Sequence, residues 1–405
     1  MPLGPTILFV HPADELYGAD RVLLEVLKCV NPGRATVWLP DDVDYPKQLL
    51  SRELRRRGFS VQQIPFPVFR RQYRSLRYVP WLSARLVRAI IELRRSHPDV
   101  VYLNTSACLA LAPAARLAGA VVVAHLHEVW SPQERWLLAP FLRFASEVVV
   151  VSDAVRNQLP VWSRPRVHLV HNGFPAPPTD RLQRSGGLPG TPLTFLVASR
   201  WGIGKGHEVL LEAWDRLEID GRLVVLGGPP PSGDRVDVRR RVRDMRRAAS
   251  VEVVGEVEDV GPWLDLADVV LVPSVKADSL PTVALEAAAA GRPVIASRCG
   301  GLPEIVDTGV TGLLVEPGNV AELADAIQTL SPADAKRMGS AAAMRYRSRF
   351  SEEAFAQAMR RVLHHATHRS RPAMRRRTRG YGGQERSERE HEIGLLEPHI
   401  DIPED

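Results

Sequence analysis

Residues 269–318 read VVLVPSVKADSLPTVALEAAAAGRPVIASRCGGLPEIVDTGVTGLLVEPG. The apolar run Val269–Val272 is a buried strand that ends at Pro273–Ser274, and a loop carrying Asp278 follows. Pro281 or Thr282 then opens a helix rich in Ala and Leu, with Glu286 inside it, eight positions after Asp278. The free backbone N–H groups at Leu280, Pro281's neighbours Thr282 and Val283, and the positive end of the helix dipole suit an anionic phosphate. Glu286, one turn in, is placed to accept hydrogen bonds from a ribose diol. An ordinary strand–loop–helix unit, capped by Ser279 and carrying an incidental acid, fits the same residues as well.

Outward from this stretch the chain keeps alternating strand and helix. Phe195–Ala198, Leu223–Leu226, Val251–Val254, Val294–Ala296 and Gly312–Val315 read as further strands of the same half. In the first half Ile7–Val10, Thr36–Leu39, Ser60–Ile64, Val100–Leu103, Val121–His125 and Val148–Val151 do the same. Continuous β-branched runs such as Val121–Val123 predict strands buried on both faces, the mark of a parallel sheet. The fold class is therefore α/β, as two Rossmann-like domains, 1–175 and 193–348, joined by the Pro- and Gly-rich linker 176–192. In such sheets ligands sit at the carboxyl ends of the strands, so both domains aim loops into a shared cleft. From residue 368 to 405 a basic block gives way to an acidic stretch without periodicity, which reads as a disordered tail.

Composition narrows the function. The chain has 405 residues, 45% apolar and 25% charged, with a formal charge of +6. That is globular and only modestly basic, so total charge gives no argument for nucleic acid. Cys29, Cys108 and Cys299 are too few and too scattered for a disulfide framework or a cysteine zinc site. The apolar run at the amino terminus is too short for a signal peptide, and no run approaches the ~20 residues of a membrane span. The expectation is a cytoplasmic protein that touches the inner face of the cell membrane at most.

Three more segments carry candidate chemistry. In Ala198–His207 (ASRWGIGKGH), Arg200 and Lys205 flank a glycine-bearing loop after the second half's first strand. In Leu16–Arg21 (LYGADR), Gly18 follows the chain's first strand, and no G-x-G-x-x-G is present to support a nicotinamide site. In Val121–Trp130 (VVVAHLHEVW), a strand runs out into His127–Glu128, with His125 two residues earlier. Gly300–Glu304 (GGLPE) reads as close backbone packing followed by an acid in a helix's first turn.

Together these signatures, in their order along the chain, resemble glycosyltransferase family 4, the retaining nucleotide-sugar enzymes of the GT-B fold. The resemblance spans most of residues 6–365 and is strongest in the second half. It departs from the family at Asp278, where Glu is usual, at Pro281, where glycine is common, and at Gly18–Ala19, where glycines are usually paired. The resemblance implies that Arg200 and Lys205 grip the donor diphosphate, that Glu286 orients the ribose, and that His127 and Asp278 meet the transferred sugar. It implies donor contacts at Gly18 and Leu280–Val283, a C-terminal helix (349–367) that returns to the first domain, and no cofactor or required metal. It further implies transfer of a hexose-type sugar from a UDP- or GDP-sugar to a glycan or lipid-linked acceptor, with the departing phosphate taking the acceptor's proton.

The acceptor side offers one local clue. Residues 66–95 hold eight arginines against the single acid Glu92, interleaved with Phe66, Phe69, Tyr73, Tyr78 and Trp81. Such a segment suits an anionic membrane surface, and equally a surface helix whose long cations cover apolar area. The adjacent Asp41–Asp42 reads as a solvated loop pair and not as a metal site. A nucleotide-sugar epimerase of the same fold and a noncatalytic nucleotide-sugar-binding protein remain alternatives; nucleic-acid binding through 66–95 has no fold signature behind it.

Overall fold

The computed structural model describes residues 5–73, 75–175, 192–230 and 235–370. The linker expected at 176–192, except its last residue, and the tail from 371 onward lie outside the described residues.

Two all-parallel sheets organise the chain. The first has seven strands: β1 (Ile7–Val10), β2 (Ala35–Leu39), β3 (Ser60–Gln63), β4 (Val100–Asn104), β5 (Val121–Leu126), β6 (Glu147–Val150) and β7 (Val167–Leu169). Their spatial order is β3-β2-β1-β4-β5-β6-β7. The second has six: β8 (Leu193–Ala198), β9 (Gly221–Leu226), β10 (Val251–Gly255), β11 (Val269–Val272), β12 (Val294–Ser297) and β13 (Gly312–Val315), in the order β10-β9-β8-β11-β12-β13. Each order reverses once, between β1 and β4 and between β8 and β11. At such a seam the helices on either side leave in opposite directions and open a crevice at the strands' carboxyl ends. Strands β1, β4, β5 and β6 are buried along their whole length, as expected of parallel strands covered by helices on both faces.

Of the helices, those that shape the site are α1 (Gly18–Leu27), α2 (Val79–Ser96), α3 (His207–Asp215), α4 (Thr282–Ala289), α5 (Pro332–Arg349) and α6 (352–370). The last runs three residues beyond the expected end at 367. It buries Phe355, Met359, Val362, Leu363 and Ala366, a helical stripe that faces the first domain. Polar contacts fix that docking: Lys28, the C-cap residue of α1, pairs with Glu352 at 2.8 Å, and Arg369 with Glu147 of β6 at 3.2 Å. One apolar cluster then runs continuously from the first sheet through Leu280, Leu285 and Tyr346 to Phe355, so the two domains share packing across the cleft's floor.

The chain re-enters α6 past Gly173, where a Cβ would lie 2.4 Å from the Ser351 carbonyl oxygen and 2.6 Å from Phe355 Cβ. Both neighbours are held, one by backbone and one by the core. We expect Gly173→Ala to lower stability by about 2 kcal/mol, the usual cost of forcing an extra methyl into a packed site. Urea unfolding of the full chain checks this through its midpoint.

Candidate functional site

The second sheet's seam lies between β8 and β11, and the loops leaving those strands are bound together. The N–H of Val275 donates to the Gly204 carbonyl at 3.0 Å, and Lys205 Nζ forms an ion pair with Asp278 Oδ2. Gly206 has φ +74° and any Cβ there would lie 1.8 Å from the Pro273 carbonyl oxygen, so glycine is required by both backbone shape and space. Gly300 is equally constrained: φ is +57° and an added Cβ would fall 2.0 Å from the Asp278 carbonyl oxygen. Gly301 N–H donates to that same oxygen at 2.9 Å. The GGLPE segment thus holds the backbone of the acid-bearing loop.

That loop delivers the chain into α4. Pro281 is the N-cap residue and no side chain caps the helix, so Ser279 does not play the capping part open to it. The first N–H groups of α4 are left to whatever enters the cleft. Leu280 and Pro281 bury their side chains and offer backbone at most, whereas Thr282 and Val283 are half-buried. Glu286, one turn on, accepts from Arg21 Nη1 of α1 at 2.7 Å.

The first sheet's seam faces this assembly. Gly18 begins α1, and a Cβ there would sit 3.7 Å from Thr282 Cγ2, so the amino termini of α1 and α4 approach each other across the cleft. Two positive helix ends converge on one space. Arg200 Cζ lies 3.9 Å above the ring of Tyr17, the N-cap residue of α1. Behind them, His11 follows β1 and Asn104 ends β4; His127 leaves β5 half-buried, with Nε2 3.0 Å from Asn104 Oδ1. Burial, helped by the nearby His11, pushes the His127 pKa down to about 3, and the Asp20 carboxylate opposes this only weakly. His125 differs from its neighbour: it is fully buried, its Nδ1 pairs with the Tyr102 hydroxyl at 2.7 Å, and its ring lies 4.0 Å from that of His127. Glu128 ties the strand end down by accepting from Ser106 Oγ at 2.9 Å and from the His127 N–H at 3.2 Å.

The fold therefore brings His127, Arg200, Lys205, Asp278, Gly18, Thr282, Val283 and Glu286 to the facing rims of the two domains. A cavity of about 590 Å³ opens beside Glu286, lined also by Arg21, Leu16, Glu258, Asp259 and Phe174. Arg200 and Lys205 lie outside its lining; Arg200 is stacked on Tyr17 and Lys205 is turned to Asp278.

Several functional contacts escape a reading of the chain alone. Arg21 lies in the quoted LYGADR segment, yet its partner is 265 residues away. Glu304, expected only as a first-turn acid, reaches the first domain, pairing with His171 at 2.9 Å and accepting from Ala154 N–H at 3.3 Å. The Asp41–Asp42 pair divides: Asp41 stays exposed to solvent, as expected, and the Asp42 carboxylate does not. Asp42 is fully buried and accepts twice from Arg70, at 2.7 and 3.0 Å, while Asp41 pairs with Arg85 at 2.5 Å. Among the described residues of 66–95, Phe66, Val68, Arg85, Ala89 and Leu93 are buried and Arg70 is half-buried, whereas Leu76, Arg77, Val87, Arg88, Ile91, Arg94 and Arg95 are exposed. Among the described residues, no group of three or more His, Cys, Asp or Glu side chains is arranged to hold a metal ion, and no helix is long and apolar enough to cross a membrane.

Comparison with known proteins agrees with this architecture. Residues 36–176 match the family model described as Glycosyltransferase Family 4, and residues 192–332 match Glycosyl transferases group 1. The chain is 33% identical over 278 residues to a GDP-mannose-dependent alpha-(1-6)-phosphatidylinositol monomannoside mannosyltransferase of Mycobacterium tuberculosis, covering 62% of this chain and 70% of that protein. It is 35% identical over 223 residues to a D-inositol 3-phosphate glycosyltransferase of Xylanimonas cellulosilytica, covering 51% of this chain and 53% of that one. The chain thus spans about half the length of several of the relatives it matches. Among solved structures, Anabaena Alr3699/HepE in complex with UDP has the same fold, with a TM-score of 0.74 at 22% identity over 88% of this chain and 99% of that one. With two parallel α/β domains facing one cleft and two consecutive family matches, the chain belongs to glycosyltransferase family 4 and has the GT-B fold.

Proposed function

We propose that the protein transfers a hexose-type sugar, with retention of anomeric configuration, from a UDP- or GDP-sugar to a glycan or lipid-linked acceptor of the bacterial envelope. One observation carries this reading: Arg200, Lys205, the uncapped start of α4 and Glu286 surround a single seam, opposite Gly18 and His127. A nucleoside diphosphate needs cations and N–H donors at its phosphates, an acceptor for its ribose hydroxyls, and an open wall for its base. The seam offers each, and the cavity beside Glu286 leaves room for ribose and base. The Mycobacterium relative's use of GDP-mannose and the UDP held by the Anabaena protein support these two nucleotides.

In this mechanism the bond from C1 of the sugar to the phosphate oxygen breaks while the acceptor oxygen bonds to C1 on the same face. The acceptor's proton passes to the departing diphosphate. Charge grows on that diphosphate as the bond breaks, and Arg200, Lys205 and the helix ends stabilise it there. The protein's own cations supply this stabilisation, and the reading requires no metal. His127 hydrogen-bonds the sugar, and Asp278 is its second polar contact.

For the acceptor we place membrane contact on the outward part of 66–95. Leu76 is 86% exposed, and Val87 and Ile91 on α2 are also exposed, beside the exposed Arg77, Arg88, Arg94 and Arg95. This mixture of apolar and cationic side chains suits an anionic bilayer surface.

Two measurements test the reading. UDP or GDP should raise the melting temperature of the full chain in proportion to the logarithm of ligand over Kd, and ADP and dTDP should do so much less. Arg200→Ala and Lys205→Ala should each reduce transfer by about a hundredfold or more; near wild-type turnover in either would remove the assignment. Separately, the protein should float with phosphatidylglycerol vesicles at low salt. Changing Arg88, Arg94 and Arg95 together to Gln should abolish this, and sedimentation of the unaltered chain away from the vesicles would remove the membrane contact alone.

A further inference from the structure

Buried polar residues that connect to one another behind a binding cleft are costly to keep, and such a line runs through the first sheet's seam. His11, Asp20 and Asn104 are 1%, 4% and 0% exposed. Asp20 Oδ1 lies 2.5 Å from His11 Nε2, His11 Nδ1 lies 2.8 Å from Asn104 Nδ2, and Asn104 Oδ1 lies 3.0 Å from His127 Nε2. Asn104 Nδ2 also lies 3.3 Å from the Ala19 carbonyl oxygen.

Donor and acceptor roles follow by elimination. A carbonyl only accepts, so the amide nitrogen of Asn104 faces Ala19 and its oxygen faces His127. The Asp20 carboxylate likewise only accepts, so the proton between it and His11 sits on Nε2. His11 Nδ1 is then the acceptor that the second Asn104 N–H requires. With both of its protons committed, Asn104 offers only its oxygen to His127, which must donate from Nε2. The neutral ring that results carries its free lone pair on Nδ1.

We infer that Asn104, His11 and Asp20 are positioning residues for the transfer reaction: their hydrogen-bond line locks His127 as the neutral Nε2–H tautomer, so that the ring accepts from a hydroxyl of the donor sugar and does not donate to it. The inference rests on the proposed transfer activity for its function, but the tautomer itself is a property of the unliganded chain. The backbone beside Asn104 carries a second sign of constraint. Thr105, a β-branched residue, has φ +80°, a strained left-handed conformation that such residues rarely adopt. It is held by its N–H to the His125 carbonyl at 2.8 Å and by its hydroxyl accepting from Ala107 N–H. The strain sits where β4 must turn its last side chain into the seam.

The groups that face His127 are His11 and Asp20 from the β1–α1 segment, Asn104 from β4, and His125 and Glu128 from its own strand and loop. Burial is the largest influence on the ring and outweighs Asp20, so the ring stays neutral through the range in which a transferase is assayed. Replacing the Asn104 amide by a carboxylate places a negative charge against two rings. That raises the His127 pKa and lets the ring hold both protons near neutral pH.

Nitrogen-15 NMR of the full wild-type chain, with the His127 resonances assigned by their loss in His127→Gln, should show Nε2 protonated and Nδ1 bare at pH 7. A protonated Nδ1 or an averaged ring would overturn the inference whether or not the protein transfers sugar. With the nucleotide sugar that supports turnover, Asn104→Asp and Asp20→Asn should lower kcat/KM at least tenfold. The Kd for free UDP or GDP should stay within twofold in Asn104→Asp, because Asn104 and His127 are placed toward the sugar and not the nucleotide. Asn104→Asp should also gain an acid limb near the ordinary imidazole value of about 6.5, with activity falling as pH drops through it, and wild type should lack that limb. An equal loss of nucleotide affinity, or a pH profile identical to wild type, would mean a merely structural role and overturn it. Absence of turnover with every donor would sink the proposed function and leave the tautomer result standing or falling by itself.

Discussion

Each sheet changes its direction of winding at one place, and that reversal decides where chemistry can happen. At β1/β4 and at β8/β11 the connecting helices part, so the strand ends there are left uncovered. His11 and Asn104 stand at the first seam, and Arg200 and the Asp278 loop at the second. The apolar packing that runs from Leu285 through Tyr346 to Phe355, together with α6 returning to the first domain, makes the two seams face one another. Without that return each domain would carry half a site.

Much of this architecture is legible in the residues because parallel strands buried on both faces have little choice of composition. Val121–Val123 and Val269–Val272 declare themselves. The strand that does not is β7, Val167–Leu169: it has three residues, a histidine at its centre and only half-buried side chains at the sheet's edge. Nothing in so short a polar-centred run separates it from a loop, and its identity is set by pairing with β6. The same logic explains Asp42. Two adjacent acids in a loop look solvated until Arg70, 28 residues away, is seen to close over one of them.

The candidate site divides along a similar line. Arg200, Lys205, Gly206 and Glu286 stand in local motifs whose physics is nearly complete in a few residues: a strand end, a left-handed glycine, a helix start. His11 and Asn104 carry no such motif. Their importance comes from adjacency across a seam, 93 residues apart in sequence, and the only signal in the chain is that each directly follows or ends a strand. Glu304 is a related case, since a first-turn acid is ordinary until His171 of the other domain is found against it.

The charges of the site are occupied by one another. Lys205 is paired with Asp278, Glu286 with Arg21, and Arg200 rests on Tyr17. These side chains keep partial access to water, Arg21 being 44% and Lys205 38% exposed, so each pair contributes only about 0–1 kcal/mol. On the proposed reading a diphosphate carries more charge than one carboxylate and also meets two helix ends, so exchanging Asp278 for phosphate at Lys205 costs little and gains more. The shorter acid at 278 fits this exchange: its backbone is fixed by Gly300 and Gly301, and only its carboxylate needs to turn. On the same reading Arg21 couples the nucleotide to the contact between the two domains. It reaches Glu286 from the opposite domain, so a ribose that claims the Glu286 carboxylate competes with the polar contact that ties α1 to α4.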